Sequence, residues 1–272
     1  MMRPLFLLLA LAIASGAHAQ ADEAPRSFAG ADRARGETFA EREARMAERG
    51  GPETAPAAYV VRDRVPLAAS RGGAALRTLR RRDGVRVLEE TDGWSRVAWN
   101  EVEGWLPSDA LSNVWIRISK TDRTAYVYQG GHLWRELPID VSNTPDGDKT
   151  RRAGRLEKEE HRIPEGTFFV TRRNEDSNYY LAFVLSYPTP VHALRGLEDG
   201  LISQAQYESI VSAHREFREP PQNTRLGGLI EIHGSGSGRR RAWTRGCVAL
   251  RNVHMDALWE IVEVGTPVVI EP

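Results

Sequence analysis

The chain has 272 residues, 41% of them hydrophobic, enough for one or two ordinary cores at about 150 residues per domain. Its 37 Lys and Arg offset 37 Asp and Glu, so there is no bulk cationic surface of the kind that binds nucleic acid. A single cysteine, Cys247, excludes an intrachain disulfide.

The N-terminus carries Arg3, then an uncharged apolar run from Leu5 to Ile13, then Ala17-His18-Ala19. Positive start, apolar middle and small-x-small close are the marks of a signal peptide, read here as residues 1–19. The run is shorter than the roughly 20 apolar residues needed to span a bilayer, and no later segment is longer and as apolar. The mature chain is therefore expected to be exported, to periplasm or cell wall, without a membrane span. Residues 20–56 are rich in Ala, Arg, Glu and Gly and nearly lack large apolar side chains, which reads as a flexible linker.

From 57 to 113 short apolar runs alternate with turn signals. The runs are Val60-Val61, Val65–Leu67, Val85–Val87, Trp94–Val97 and Gly104–Leu106; Asp83-Gly84 and Asp92-Gly93 stand between them. This spacing predicts a small β-barrel. Gly84, Val85, Val87, Gly93, Trp94, Val97, Gly104, Trp105 and Leu111 together resemble the pattern of bacterial SH3-like domains, which implies a wall-binding module. Core packing is the simpler role for Trp94 and Trp105.

Residues 114–272 read as a second, β-rich unit with a few helices. Strands are expected at Trp115–Ile118, Ala125–Tyr128, Leu133–Ile139, Gly166–Thr171, Leu181–Leu185, Gly228–Ile232 and Cys247–Leu250, with a Gly130-Gly131 hairpin turn. A helix is expected over Ile202–Phe217, stopped by Pro220-Pro221. Another, capped by Asn252, should run through Ile261, and Pro267–Ile270 should close the sheet.

An exported protein with one unpaired thiol raises two readings, a buried inert cysteine or a reactive group. A nucleophilic thiol needs a base, most often histidine. His233 ends one expected strand fourteen positions before Cys247, which begins another. The Gly-, Ser- and Arg-rich stretch between them can loop out and return. Gly234 and Gly246 allow close approach, and main-chain N–H groups near Gly246 and Cys247 are candidate oxyanion donors. By spacing alone the pairing is a weak signal among seven histidines. Metal binding is a weaker signal still, since there is no second cysteine and no His-x-x-x-His cluster with ligand spacing.

Five blocks in order carry a family resemblance: Ile163–Val170, Phe183–Pro188, His233-Gly234, Thr244-x-Gly246-Cys247, and Gly265-Thr266-x-Val268. They resemble the L,D-transpeptidase catalytic (YkuD-like) family. Arg245 stands where many members have histidine, and Ala249 where many have Arg or Asn. The resemblance implies a mainly β catalytic domain without cofactor. It implies that Cys247 is the nucleophile, His233 the base and the Gly234 carbonyl its orienting group. The substrate would be the stem peptides of peptidoglycan, with a second stem or an envelope protein as acceptor. Arg245, Arg240, Tyr187 and Trp243 are the candidate substrate-binding residues; for the arginines the reason is carboxylate pairing. A hydrolase using the same site and a non-catalytic wall-binding protein are the alternatives.

Overall fold

The computed structural model describes residues 57–154 and 160–272. The expected signal peptide 1–19 and linker 20–56 lie outside the described residues. The architecture is mainly β.

Seven strands, β1 (Ala57–Val60), β2 (Val65–Ala68), β3 (Ala75–Leu79), β4 (Gly84–Thr91), β5 (Trp94–Trp99), β6 (Val102–Pro107) and β7 (Leu111–Ser112), form one sheet ordered β3-β2-β6-β5-β4-β1-β7. Every neighbouring pair is antiparallel. Asp92 and Gly93 both have positive φ, the backbone a two-residue hairpin requires. Val65, Leu67, Leu79, Val85, Val97 and Leu106 close a small core. Trp94 and Trp105 are not part of it: both are half-buried, and Arg71 lies over the Trp105 ring at 4.7 Å. They fall on the polar side of their strands, the face opposite Val97 and Leu106.

The second unit is built on an eight-stranded sheet. Its strands are β8 (Val114–Ser119), β9 (Thr124–Gln129), β10 (His132–Pro138), β12 (Gly166–Ser177), β13 (Tyr180–Leu185), β14 (Glu231–His233), β16 (Val248–Ala249) and β17 (Pro267–Glu271). The order is β10-β9-β8-β17-β12-β13-β14-β16, with β11 (Val141–Ser142) and β15 (Ala242–Thr244) paired separately. The last strand, β17, inserts between β8 and β12, where Val268 and Ile270 are buried. Full burial of such a side chain is worth about 1.5–3 kcal/mol, which fixes the middle of the sheet. Register shifts in the β12–β13 pair bend the sheet, and its far edge, β14 and β16, carries His233 and leads out of Cys247.

Among the described residues three α-helices pack on this frame: α1 (Pro190–Glu198), α2 (Gln204–Arg215) and α3 (Asn252–Trp259). The reading of the sequence does not anticipate α1, whose N1 proline is a starter rather than a breaker, with Thr189 accepting from His192 N as its cap. Helix α2 starts after Ile202 because Ser203 and Gln206 form a capping box. Helix α3 is capped by Arg251 without a side-chain bond, not by Asn252. The Asn252 side chain is engaged elsewhere, accepting from Ser235 N at 2.7 Å.

The two units are packed together. Tyr59, buried in β1, donates its hydroxyl to the Val114 carbonyl at 2.7 Å. Arg82 is also buried, and its guanidinium lies over the rings of Phe169 (4.7 Å) and Phe217 (5.2 Å). Burial lowers its pKa to about 10.

Candidate functional site

Strands β14 and β16 are parallel neighbours, with Ile232 beside Val248 and His233 beside Ala249. Cys247 lies in the turn immediately before β16, at the sheet edge that carries His233. The fold thus brings His233, Gly234, Gly246 and Cys247 to one sheet edge.

His233 is buried and its Nδ1 lies 2.7 Å from the Gly234 carbonyl. A carbonyl only accepts, so Nδ1 carries the proton and the lone pair stands on Nε2. Burial lowers the imidazole pKa below its ordinary value, partly opposed by the Gly234 bond. The ring is therefore neutral at pH 7. Tyr179 stacks on it with centroids 4.5 Å apart, and Trp243 meets it edge-on at 6.0 Å. Both aromatics are exposed, at 44% and 38%, and form a wall on the solvent side of the base.

Gly234 has no room for a side chain. A Cβ there would stand 2.7 Å from the Tyr179 carbonyl and 2.8 Å from Asn252 Oδ1. Gly246 has φ of +118°, and its Cβ would meet the Arg162 carbonyl at 3.0 Å. Only glycine turns the chain into the cysteine at this point. Thr244 Oγ1 then donates to the Cys247 carbonyl at 2.6 Å and holds the turn.

Cys247 is half-buried, and its thiol donates to the Leu229 carbonyl at 3.4 Å rather than to the imidazole. Loss of water around the sulfur pushes the thiol up to about 12. The Glu231 carboxylate adds to the rise, while a main-chain hydrogen bond at Glu231 and the Lys149 ammonium oppose it. The resting group is a neutral thiol, and any attack by sulfur needs a base to remove its proton during the reaction.

A cleft of about 400 Å³ opens beside the Leu229 carbonyl. Its cationic lining is Lys149, Arg152 and Arg245, with His161 close by. Lys149 is buried and donates to the Glu160 carbonyl at 3.0 Å. Arg245 therefore lines this cleft, while Trp243 stands beside the base. Tyr187 does not line either: it is fully buried, its hydroxyl donating to Leu226 O at 2.8 Å. An aromatic at the end of a buried strand is claimed by the core. Arg240 turns away to the β8–β9 connection, where its guanidinium meets Asp122 O and Thr124 Oγ1, each at 3.4 Å.

Lys149, Glu231 and Tyr179 escape the reading of the sequence. Glu231 had a signal, since it lies two positions before His233 on the same strand face. Lys149 and Tyr179 come from connecting segments, where no periodicity assigns a direction.

The family model for the L,D-transpeptidase catalytic domain, YkuD, matches residues 113–270. Among solved structures, an L,D-transpeptidase from Xylanimonas cellulosilytica is similar at 15% identity and TM-score 0.36, over 59% of this chain and 61% of that one. The helical cell shape determining protein Pgp2 from Campylobacter jejuni is similar at 22% identity and TM-score 0.38, over 59% and 47%. Bd1075 from Bdellovibrio bacteriovorus gives 22% and 0.38, over 60% and 49%. The chain spans less than two thirds of the length of each of these three. None of the curated proteins compared matches it.

Proposed function

Because the chain belongs to the L,D-transpeptidase catalytic domain (YkuD) family, we propose that it is an exported cysteine acyltransferase acting on peptidoglycan stem peptides. The observation that supports this reading is the pairing of β14 with β16, which puts the turn bearing Cys247 and the backbone-oriented His233 imidazole at one sheet edge.

His233 Nε2 takes the thiol proton as Cys247 Sγ attacks the carbonyl of the stem's L-to-D peptide bond. The S–C bond forms, and the oxyanion is met by main-chain N–H groups at Gly246 and Cys247. The C–N bond then breaks, His233 returns the proton to the leaving amine, and a terminal D-amino acid departs. A thioester on Cys247 remains. An amine of a second stem, or of an envelope protein, attacks it and regenerates the thiol. A thiol raised to about 12 fits this order of events, in which deprotonation accompanies attack instead of preceding it. No cofactor enters any step.

Stem peptides carry free carboxylates, and the cations of the cleft, Arg245 with Lys149 and Arg152, are the groups to meet them. Trp243, exposed beside the imidazole, supplies an apolar wall for the acyl chain. The unit at 57–113 is read as an SH3-like module that holds the enzyme to the wall, supported by its closed core and hairpin turns.

Hydrolysis is the second reading, and the same cleft favours it. Of its cations, the Lys149 ammonium acts on the sulfur, and a cation there repels an approaching ammonium but not water. One experiment separates the two. Purified protein is given a tetrapeptide stem with and without a second stem, and products and intact protein are followed by mass spectrometry. Transfer yields a cross-linked dimer and hydrolysis a tripeptide alone. Absence of any acyl adduct and any product would remove the enzyme reading.

A further inference from the structure

The stretch that separates His233 from Cys247 is pinned by one carboxylate. Asp140 stands between β10 and β11 and is fully buried. Its main chain bridges to Ala249, two residues past Cys247: Asp140 N donates to Ala249 O at 2.8 Å and Ala249 N to Asp140 O at 3.0 Å. Its backbone is therefore tied to the strand that directly follows the thiol.

The side chain receives four donors from the loop. Oδ1 accepts from Ser237 Oγ at 2.7 Å and Arg241 N at 2.9 Å. Oδ2 accepts from Ser237 N at 2.6 Å and Trp243 Nε1 at 2.8 Å. An ionised carboxylate offers about four lone-pair sites, so the group is saturated. Ser237 lies on the outgoing limb of the loop, and Arg241 and Trp243 on the returning limb. One side chain thus clamps both. Burial opposes the charge, but these donors outweigh it and hold the carboxyl below its usual range. The indole anchored by Oδ2 is the ring that meets His233 edge-on and lies 6.0 Å from Tyr179. An exposed tryptophan without such an anchor is free to change rotamer.

We infer that Asp140 is a positioning residue for the thiol–imidazole pair: its carboxylate closes the 234–246 loop and, through Trp243 Nε1, holds an aromatic wall against the His233 ring. This rests on the reading of Cys247 and His233 as the reacting pair. Asparagine keeps the shape of Asp140 but has one acceptor oxygen, and its amide would confront either Trp243 Nε1 or Arg241 N. With the wall released, water reaches the imidazole, its depressed pKa recovers, and its orientation toward the sulfur relaxes.

The test is a double-mutant cycle on the full chain with Asp140→Asn, Trp243→Phe and both together. The readout is the rate at which iodoacetamide alkylates Cys247 between pH 5 and 9, which requires no stem peptide. Each single change is expected to slow alkylation about tenfold, and the double change also about tenfold rather than a hundredfold, because both remove one contact. Both should move the acid limb of the pH profile toward the ordinary histidine value of about 6.5. His233→Ala is the control. If it leaves alkylation unchanged, the underlying pair is misread. If it slows alkylation while the Asp140 and Trp243 effects multiply, or Asp140→Asn changes neither rate nor profile, the positioning inference alone is overturned. Should Asp140→Asn not fold, Trp243→Phe decides by itself: it keeps a ring and deletes the N–H, and an unaltered profile refutes the clamp.

Discussion

Acidification should weaken the catalytic unit through His214. Its Nε2 bonds to the Pro188 carbonyl at 3.0 Å, and its ring meets Phe169 edge-on at 5.6 Å. Burial lowers its pKa from 6.5 to about 4, with Arg82 and His192 adding like charge and the bond to Pro188 opposing. The unfolded imidazole binds a proton near 6.5, so between 6.5 and 4 the unfolded state holds more protons than the folded one. Stability from this group is complete above 6.5 and is lost as pH falls toward 4. A shift of 2.5 units corresponds to about 3.4 kcal/mol in full, and at pH 4.5 to about 2.5 kcal/mol. Partial exposure of the residue reduces this to about 2 kcal/mol. His214→Gln keeps a donor for Pro188 and cannot titrate. Urea denaturation of both proteins at pH 7.5 and 4.5 gives the four stabilities required. Wild type should lose about 2 kcal/mol more than the variant over this interval. Equal losses would mean that His214 is hydrated in solution and that the packing of Phe169, Arg82 and α2 around it is wrong.

Cys247→Ala should abolish acyl-adduct formation with no change in melting temperature, both read on one preparation. His233→Ala should slow acylation by about 10²–10⁴-fold and erase the acid limb that lies below 6.5 in the parent, since burial depresses that imidazole. Gly234→Ala would force a Cβ to 2.7 Å from the Tyr179 carbonyl and shift the carbonyl that orients His233. A displacement of about 1 Å there should cost about 10²-fold in kcat with little change in KM, and a steady-state comparison with a small stem peptide checks it. Arg82→Met should leave stability within about 1 kcal/mol of the parent, because Arg82 Nη2 has no hydrogen-bond partner among the described residues and the rings of Phe169 and Phe217 accept an apolar chain equally well. Arg82→Ala should cost about 2–4 kcal/mol through the cavity it leaves, measured by the same denaturation.

The local sequence determined most of the strands, because a half-buried strand declares itself by alternation within a few residues. Val65 and Leu67, Val268 and Ile270 are such cases, and each is buried as its pattern requires. Cys247, His233 and the glycines beside them stood out for another reason: the reactivity of a lone thiol and the backbone freedom of glycine are properties of single residues. Tertiary structure decided what depends on meeting a distant partner. Asp140, Lys149 and Asn252 lie about 20 to 110 positions from the residues they serve, and one acid, base or amide in a chain with 37 of each charge says nothing about its target. Tyr187 and Arg240 failed in the same way. Their side chains suit a cleft, but the buried Leu226 carbonyl claims one and the β8–β9 turn the other. Helix α1 escaped because Pro190 begins a helix only when the preceding residue supplies a cap, and a proline seen in sequence reads first as a stop. Alternation and residue type are written along the chain, whereas the choice among many chemically adequate partners is made only when the sheet closes.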